Sequence, residues 1–124
     1  MSQDKIADAL NQMMNALRAE KDSIVVNAHS KLLLSILALA KLKGYVKNYK
    51  LAGKSVSIEF AKLNGCNAIK PRYFVKVEEI DKYTKRYLPA KEIGMLIVST
   101  SQGIMAHQTA QEKNIGGSLL AYFY

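Results

Sequence analysis

The sequence predicts an α+β fold, and three patterns in chain order carry that prediction. Ile6, Leu10, Met13 and Leu17 recur three or four residues apart, the spacing of one helix face. Val56, Ile58 and Phe60 then alternate with Ser55, Ser57 and Glu59, the period of a half-buried strand. Residues 93–100 are nearly continuous in apolar side chains, as in a strand buried on both faces. The order predicts a small α/β domain (α-β-α-β-β) over residues 1–68 and a β-rich domain with one short helix over residues 69–124.

The elements follow from local chemistry. Residues 4–19 read as a helix, with Asp4 placed to cap the first turn and to favour the positive end of the helix dipole. Residues 23–26 form a short β-branched strand. Ser30 can cap a second helix that carries Leu33, Ile36, Leu37 and Ala40 on one face and closes at Gly44. Val46 and Leu51 flank basic and aromatic positions, and the chain turns at Ala52 and Gly53 into the alternating run, which makes a hairpin. Residues 63–67 are a turn-rich connector and Pro71 cannot donate in a central ladder, so the domain boundary is placed at residue 68. Beyond it, residues 68–76 and 93–100 are expected as strands, residues 107–113 as a short helix ended by residues 114–117, and residues 118–124 as an aromatic closing strand. No internal repeat or low-complexity tract interrupts this order.

Composition narrows the function. The 124 residues include 18 Lys and Arg against 10 Asp and Glu, a net charge of +8, with 49% hydrophobic residues. That suffices for a folded core without disulfides or metals. Cys66 is the single cysteine, expected as a small buried hydrophobe, and no signal peptide or membrane-length apolar run is present, so a cytoplasmic location without membrane association is expected. No acid occurs between Asp22 and Glu59, where Lys31, Lys41, Lys43, Lys47, Lys50 and Lys54 fall. Such a stripe serves either nucleic-acid phosphates or a solvated surface, and lysines on a strand also block edge pairing. Tyr45 and Tyr49, interleaved with them, read as core. His29 and His107 stand far apart with one cysteine and no metal-ligand spacing, and no carboxylate pair or nucleophile constellation appears. The chain is therefore expected to be a non-enzyme with no cofactor and no metal.

One motif stands out from this background: Val98-Ser99-Thr100-Ser101-Gln102-Gly103-Ile104-Met105, where an apolar run ends in three hydroxyls, an amide and a glycine. The hydroxyls can pair with 2′-hydroxyls, phosphate oxygens or base edges while Gly103 allows close backbone approach. They can equally bond their own backbone in a polar hairpin turn. Arg72 and Arg86 have the fork geometry for phosphate, or could pair with Glu78, Glu79 or Asp81.

The motif resembles the signature of the eighth small-subunit ribosomal protein family, and the resemblance runs through Ile69-Lys70-Pro71-Arg72-Tyr73, Arg86-Tyr87-Leu88-Pro89-Ala90 and Gly116-Gly117 to the C-terminus. It continues in Ile6-Ala7-Asp8-Ala9-Leu10, Ser30-Lys31-Leu32 and Lys43-Gly44-Tyr45, and in its Gln102 form is most similar to the archaeal branch. The resemblance implies an N-terminal α/β domain packed against a C-terminal β-rich domain, in a structural constituent of the small ribosomal subunit that binds the central domain of 16S-type ribosomal RNA early in assembly. It also implies contact with neighbouring small-subunit proteins as a monomer within the ribosome, and possible repression of the chain's own messenger RNA. The RNA-binding residues it implies are Ser99, Thr100, Ser101, Gln102 and Gly103 first, then Asp4, Asn15, Lys31, Gly116, Gly117 and Ser118, and Arg72, Arg86 and Tyr87 join them as candidates on their own chemistry. Lys5 stands where the family commonly has proline, and Ser118 where bacterial members tend to place an acid. The competing reading is a generic basic nucleic-acid-binding module without ribosomal specificity, which would bind duplex DNA as well as structured RNA.

Overall fold

In the computed structural model, residues 5–27, 30–69, 73–89 and 93–124 are described, the side chain of Lys5 excepted. The chain divides into two units, Met1–Asn67 and Ala68–Tyr124. Asp4, His29, Arg72 and Pro71 lie outside the described residues.

The first unit holds α1 (Lys5–Arg18), β1 (Ser23–Val26), α2 (Lys31–Leu42), β2 (Val46–Ala52) and β3 (Ser55–Phe60). Ser30 caps α2 as its sequence suggests, accepting the Leu33 N–H on its hydroxyl at 3.2 Å. Leu33, Ile36, Leu37 and Ala40 form the buried face of α2, and Ile6, Leu10 and Met13 are buried along α1. The sheet runs β1-β3-β2, antiparallel throughout, with Val56 and Ile58 of its central strand buried. β2 is thus an edge, broken by a register shift between Val46 and Asn48. Lys47 and Lys50 are exposed along it and Lys54 at its turn, a placement that discourages further strand pairing. Tyr45 and Tyr49 are half-buried.

The second sheet has the order β4-β8-β6-β7, with β5 also pairing β8. Its strands are β4 (Cys66–Ala68), β5 (Phe74–Val75), β6 (Met95–Thr100), β7 (Gly103–Ala106) and β8 (Gly117–Phe123). Met95 to Val98 are all buried, as a central strand flanked by β7 and β8 requires. Leu96, Val98, Met105 and Leu119 build a cluster with Val75, Ile80, Leu88 and Ala110.

Two expectations for this half of the chain are corrected. Residues 68–76 are not one strand, because β4 ends at Ala68 and the two-residue β5 begins only at Phe74. The half also carries more helix than the single short one expected. Besides α4 (His107–Glu112), a 3-10 turn (Val77–Glu79) leads into α3 (Ile80–Tyr87). The turn is closed by the Lys76 N–H donating to Glu79 Oε1 at 2.9 Å. Buried Ile80 and Thr84, with half-buried Tyr83 and Tyr87, make the inner stripe of α3. The Thr84 hydroxyl is satisfied within the helix, donating to the Asp81 carbonyl at 2.8 Å.

Buried His107 opens α4, its Nδ1 accepting the Leu96 N–H at 3.0 Å, so this histidine ties helix to strand. Among the described residues no three or more of His, Cys, Asp and Glu gather as metal ligands, and no helix is long and apolar enough to cross a membrane.

Cys66 is buried, its thiol directed at the Leu10 carbonyl at 3.8 Å. Burial pushes the thiol pKa from an ordinary 9.0 up to about 12. The unfolded thiol ionises near 9 while the folded one stays neutral, so this contribution to stability is complete below pH 9 and is lost as pH rises towards 12. Denaturant unfolding between pH 8 and 10.5 should therefore show a loss of up to about 1.4 kcal/mol per pH unit that a Cys66→Ala variant lacks. Parallel pH profiles for the two chains would contradict it.

Candidate nucleic-acid interface

β6 and β7 pair in register from Ile97 with Ala106 to Thr100 with Gly103, which leaves Ser101 and Gln102 as the tip of a tight hairpin. The Thr100 hydroxyl organises this tip from within. It donates to the Gly103 carbonyl at 2.8 Å and accepts the Gln102 N–H at 3.1 Å. The turn reading of the motif is therefore right for Thr100. Gly103 has φ of +109°, and a β-carbon there would meet nothing within 4 Å, so glycine is needed for its backbone conformation rather than for space.

The other polar groups face outward. Ser101, Gln102 and Gly103 are exposed, Ser99 and Ser118 half-exposed, and the Ser101 hydroxyl makes no hydrogen bond among the described residues. Gln102 Oε1 accepts from Lys113 Nζ at 3.4 Å, which sets an ammonium group beside the tip from the end of α4. Nothing in the local sequence marks Lys113 for this place, because only the fold of β7 and α4 returns it to the hairpin.

β8 supplies the third strand of the surface. Ser99 pairs with Ile104 on one side and with Ser118 on the other, so two hydroxyls lie side by side across β6 and β8. The paired glycines have a packing reason to be there. A β-carbon on Gly117 would collide with the Ser99 carbonyl oxygen and Val98 Cγ1, and one on Gly116 with the Val75 carbonyl oxygen. Only glycine lets β8 approach both neighbours this closely.

Arg86 and Tyr87 sit in the last turn of α3. The Arg86 guanidinium lies 5.9 Å from the Tyr73 ring centre and 5.6 Å from that of Tyr87, and has no ion pair among the described residues. For Arg86 the expected alternative of a bridge to Glu78, Glu79 or Asp81 is not formed among the described residues, where Glu79 accepts the Lys76 N–H and Asp81 Oδ1 accepts Gln111 Nε2 at 2.9 Å; for Arg72 it lies outside the described residues. Tyr87 stacks on Tyr122 at 5.4 Å and Tyr122 on Tyr124 at 6.1 Å. The exposed guanidinium thus lies within about 6 Å of two tyrosine ring centres, and its N–H groups can donate to an anion.

Asn15 and Lys31 belong to the first unit and are exposed. Lys31 occupies the first turn of α2, where a cation opposes the helix dipole and so contributes nothing to helix stability. The hairpin surface of the second unit offers hydroxyls, an amide, backbone and the Lys113 cation.

The Thr100 and Ser101 hydroxyls should separate in a stability measurement. Thr100→Val removes two hydrogen bonds and should cost about 1–2 kcal/mol in denaturant unfolding, whereas Ser101→Ala should stay within about 0.5 kcal/mol of the parent. Equal costs would show that the tip is not divided in this way.

Comparison with known proteins places this surface in context. The family model described as Ribosomal protein S8 matches residues 4–124. A small ribosomal subunit protein uS8 from Nanoarchaeum equitans (strain Kin4-M) is 42% identical over 129 aligned positions, covering 100% of this chain and 100% of that protein.

Proposed function

The chain belongs to the ribosomal protein S8 family, a family of structural and non-enzymatic proteins, and from that premise we propose that it binds the central domain of small-subunit ribosomal RNA through the hairpin tip at Ser101, Gln102 and Gly103. The observation that carries this reading is the division of labour in the hairpin. Thr100 spends its hydroxyl on the turn, and Ser101 presents an uncommitted one to solvent beside a lysine.

The mechanism is positioning. Irregular, unstacked RNA exposes base edges and 2′-hydroxyls at varied angles, and short hydroxyl and amide groups on a rigid strand pair can meet only some of these arrangements. Ser99 and Ser118 extend the contact across the sheet, and Arg86 offers its fork to phosphate next to Tyr87. Asp4, Asn15, Lys31, Arg72, Gly116 and Gly117 complete the proposed contact set. Lysines supply affinity that falls with salt by roughly 0.7–0.9 log units per neutralised phosphate, whichever RNA is bound. Selection among RNA shapes falls to the hairpin. Binding early, the protein would hold the geometry of an irregular RNA helix for later neighbours in the small subunit. A similar fold in the chain's own messenger RNA would occupy the same surface.

The test is binding of the full chain to a central-domain RNA fragment, to its own transcript and to duplex DNA at matched moderate salt. Preference for the RNA fragment by at least about tenfold, lost in a Ser101→Ala, Gln102→Ala double variant, is the expected result; a bidentate or paired contact of this kind is worth on the order of 1–3 kcal/mol. Equal affinity for all three probes, indifferent to the substitutions, would instead identify a generic basic module.

A further inference from the structure

Phe74 is 73% exposed, although it lies in a strand. Single exposed apolar residues are ordinary on protein surfaces, so exposure alone identifies nothing. The strand register does. Phe74 pairs with Ser118, Ser118 pairs with Ser99, and Ser99 pairs with Ile104, so β5, β8, β6 and β7 present Phe74, Ser118, Ser99 and Ile104 as one row across the sheet. Its strand neighbour Val75 is buried in the cluster on the opposite face. The aromatic ring thus shares a row with two of the hydroxyls at the interface.

The surroundings of the ring are equally informative. Its cross-strand partner is a serine, too small to cover it, and among the described residues the ring makes no aromatic contact. Tyr73, Tyr83, Tyr87 and Tyr122, by contrast, are half-buried and spend their faces on one another or on Arg86. Two interstrand spacings separate Phe74 from Ser99, about 10 Å. That span lets one nucleotide stack on the ring while its neighbour meets the hydroxyls.

We propose that Phe74 is a stacking platform for an unpaired base of the RNA bound at the Ser99 and Ser118 hydroxyls, an inference that rests on the RNA-binding reading of the hairpin. A phenyl ring carries no donor or acceptor, so it accepts any base by its π-face. The platform therefore adds affinity for an extruded base, and the hydroxyls beside it carry the choice of which one.

The experiment uses the full chain, a central-domain small-subunit RNA fragment, and Phe74→Leu and Phe74→Trp variants. Phe74→Leu should weaken binding about tenfold without altering the salt dependence, since no phosphate contact is removed, and its thermal unfolding should match the parent's. Phe74→Trp should restore affinity. The chain contains no tryptophan, so the introduced indole reports this contact alone, and its fluorescence should be quenched when RNA is added. Parent-like affinity of Phe74→Leu, or indole emission unchanged by saturating RNA, overturns the stacking role while leaving the hairpin reading intact. Failure of the unsubstituted chain to prefer this RNA over duplex DNA overturns both.

Discussion

Gly117 has no room for a β-carbon, because the Ser99 carbonyl oxygen already occupies that position. This close approach sets the register of β8 against β6 and so decides which side chains become neighbours at the interface. It places Ser118 beside Ser99, and through the adjacent pairing it places Phe74 beside Ser118. The buried run from Met95 to Val98 fixes the other coordinate, since a slip by one residue would carry the hydroxyl of Ser99 into the place of buried Val98. Ser99 and Thr100 continue that strand past its core, and Ser101 and Gln102 turn the chain into β7 at Gly103. Their position is inherited from hydrophobic packing.

The hairpin tip divides its polar groups between folding and contact. Thr100 bonds within the turn, Gly103 supplies a backbone conformation that other residues resist, and Ser101 and Gln102 are left facing solvent. A surface ordered before binding loses little conformational entropy when RNA arrives. Lys113 adds positive charge beside the hairpin tip, so on the proposed reading non-specific attraction and shape selection would act at one place. The first unit carries a lysine-bearing edge strand, whose charge discourages strand addition.

The parts of this structure that were legible in sequence are those that local chemistry decides. Ser30 announces α2, the alternation at residues 55–60 announces β3, and the apolar run announces β6. α3 was not legible because its inner stripe is Ile80, Tyr83, Thr84 and Tyr87, which contains one aliphatic residue and depends on tyrosines that become half-buried only through tertiary contact. Residues 68–76 have strand-like composition, yet β4 ends at Ala68 and β5 covers only Phe74 and Val75, although Ile69 and Tyr73 each share one backbone hydrogen bond with β8. At the interface, the motif identified the hairpin but not the separate duties of its hydroxyls. The parts played by Lys113 and Phe74 were illegible because they arise from the return of α4 and from strand register. Gly116 and Gly117 were read as contact residues, and the fold gives them a steric role as well.

On the proposed reading a preformed strand pair, not a charged edge, discriminates RNA shape. An amide chemical-shift titration of the isotopically labelled chain with the central-domain RNA fragment distinguishes the two. The largest changes are expected at Ser101, Gln102, Gly103 and Ser118, with the amides of Ile97 and Val98 keeping their protection from solvent exchange. Changes confined to the β2–β3 hairpin around Lys50 and Lys54, with the β6–β7 tip unaffected, would contradict it.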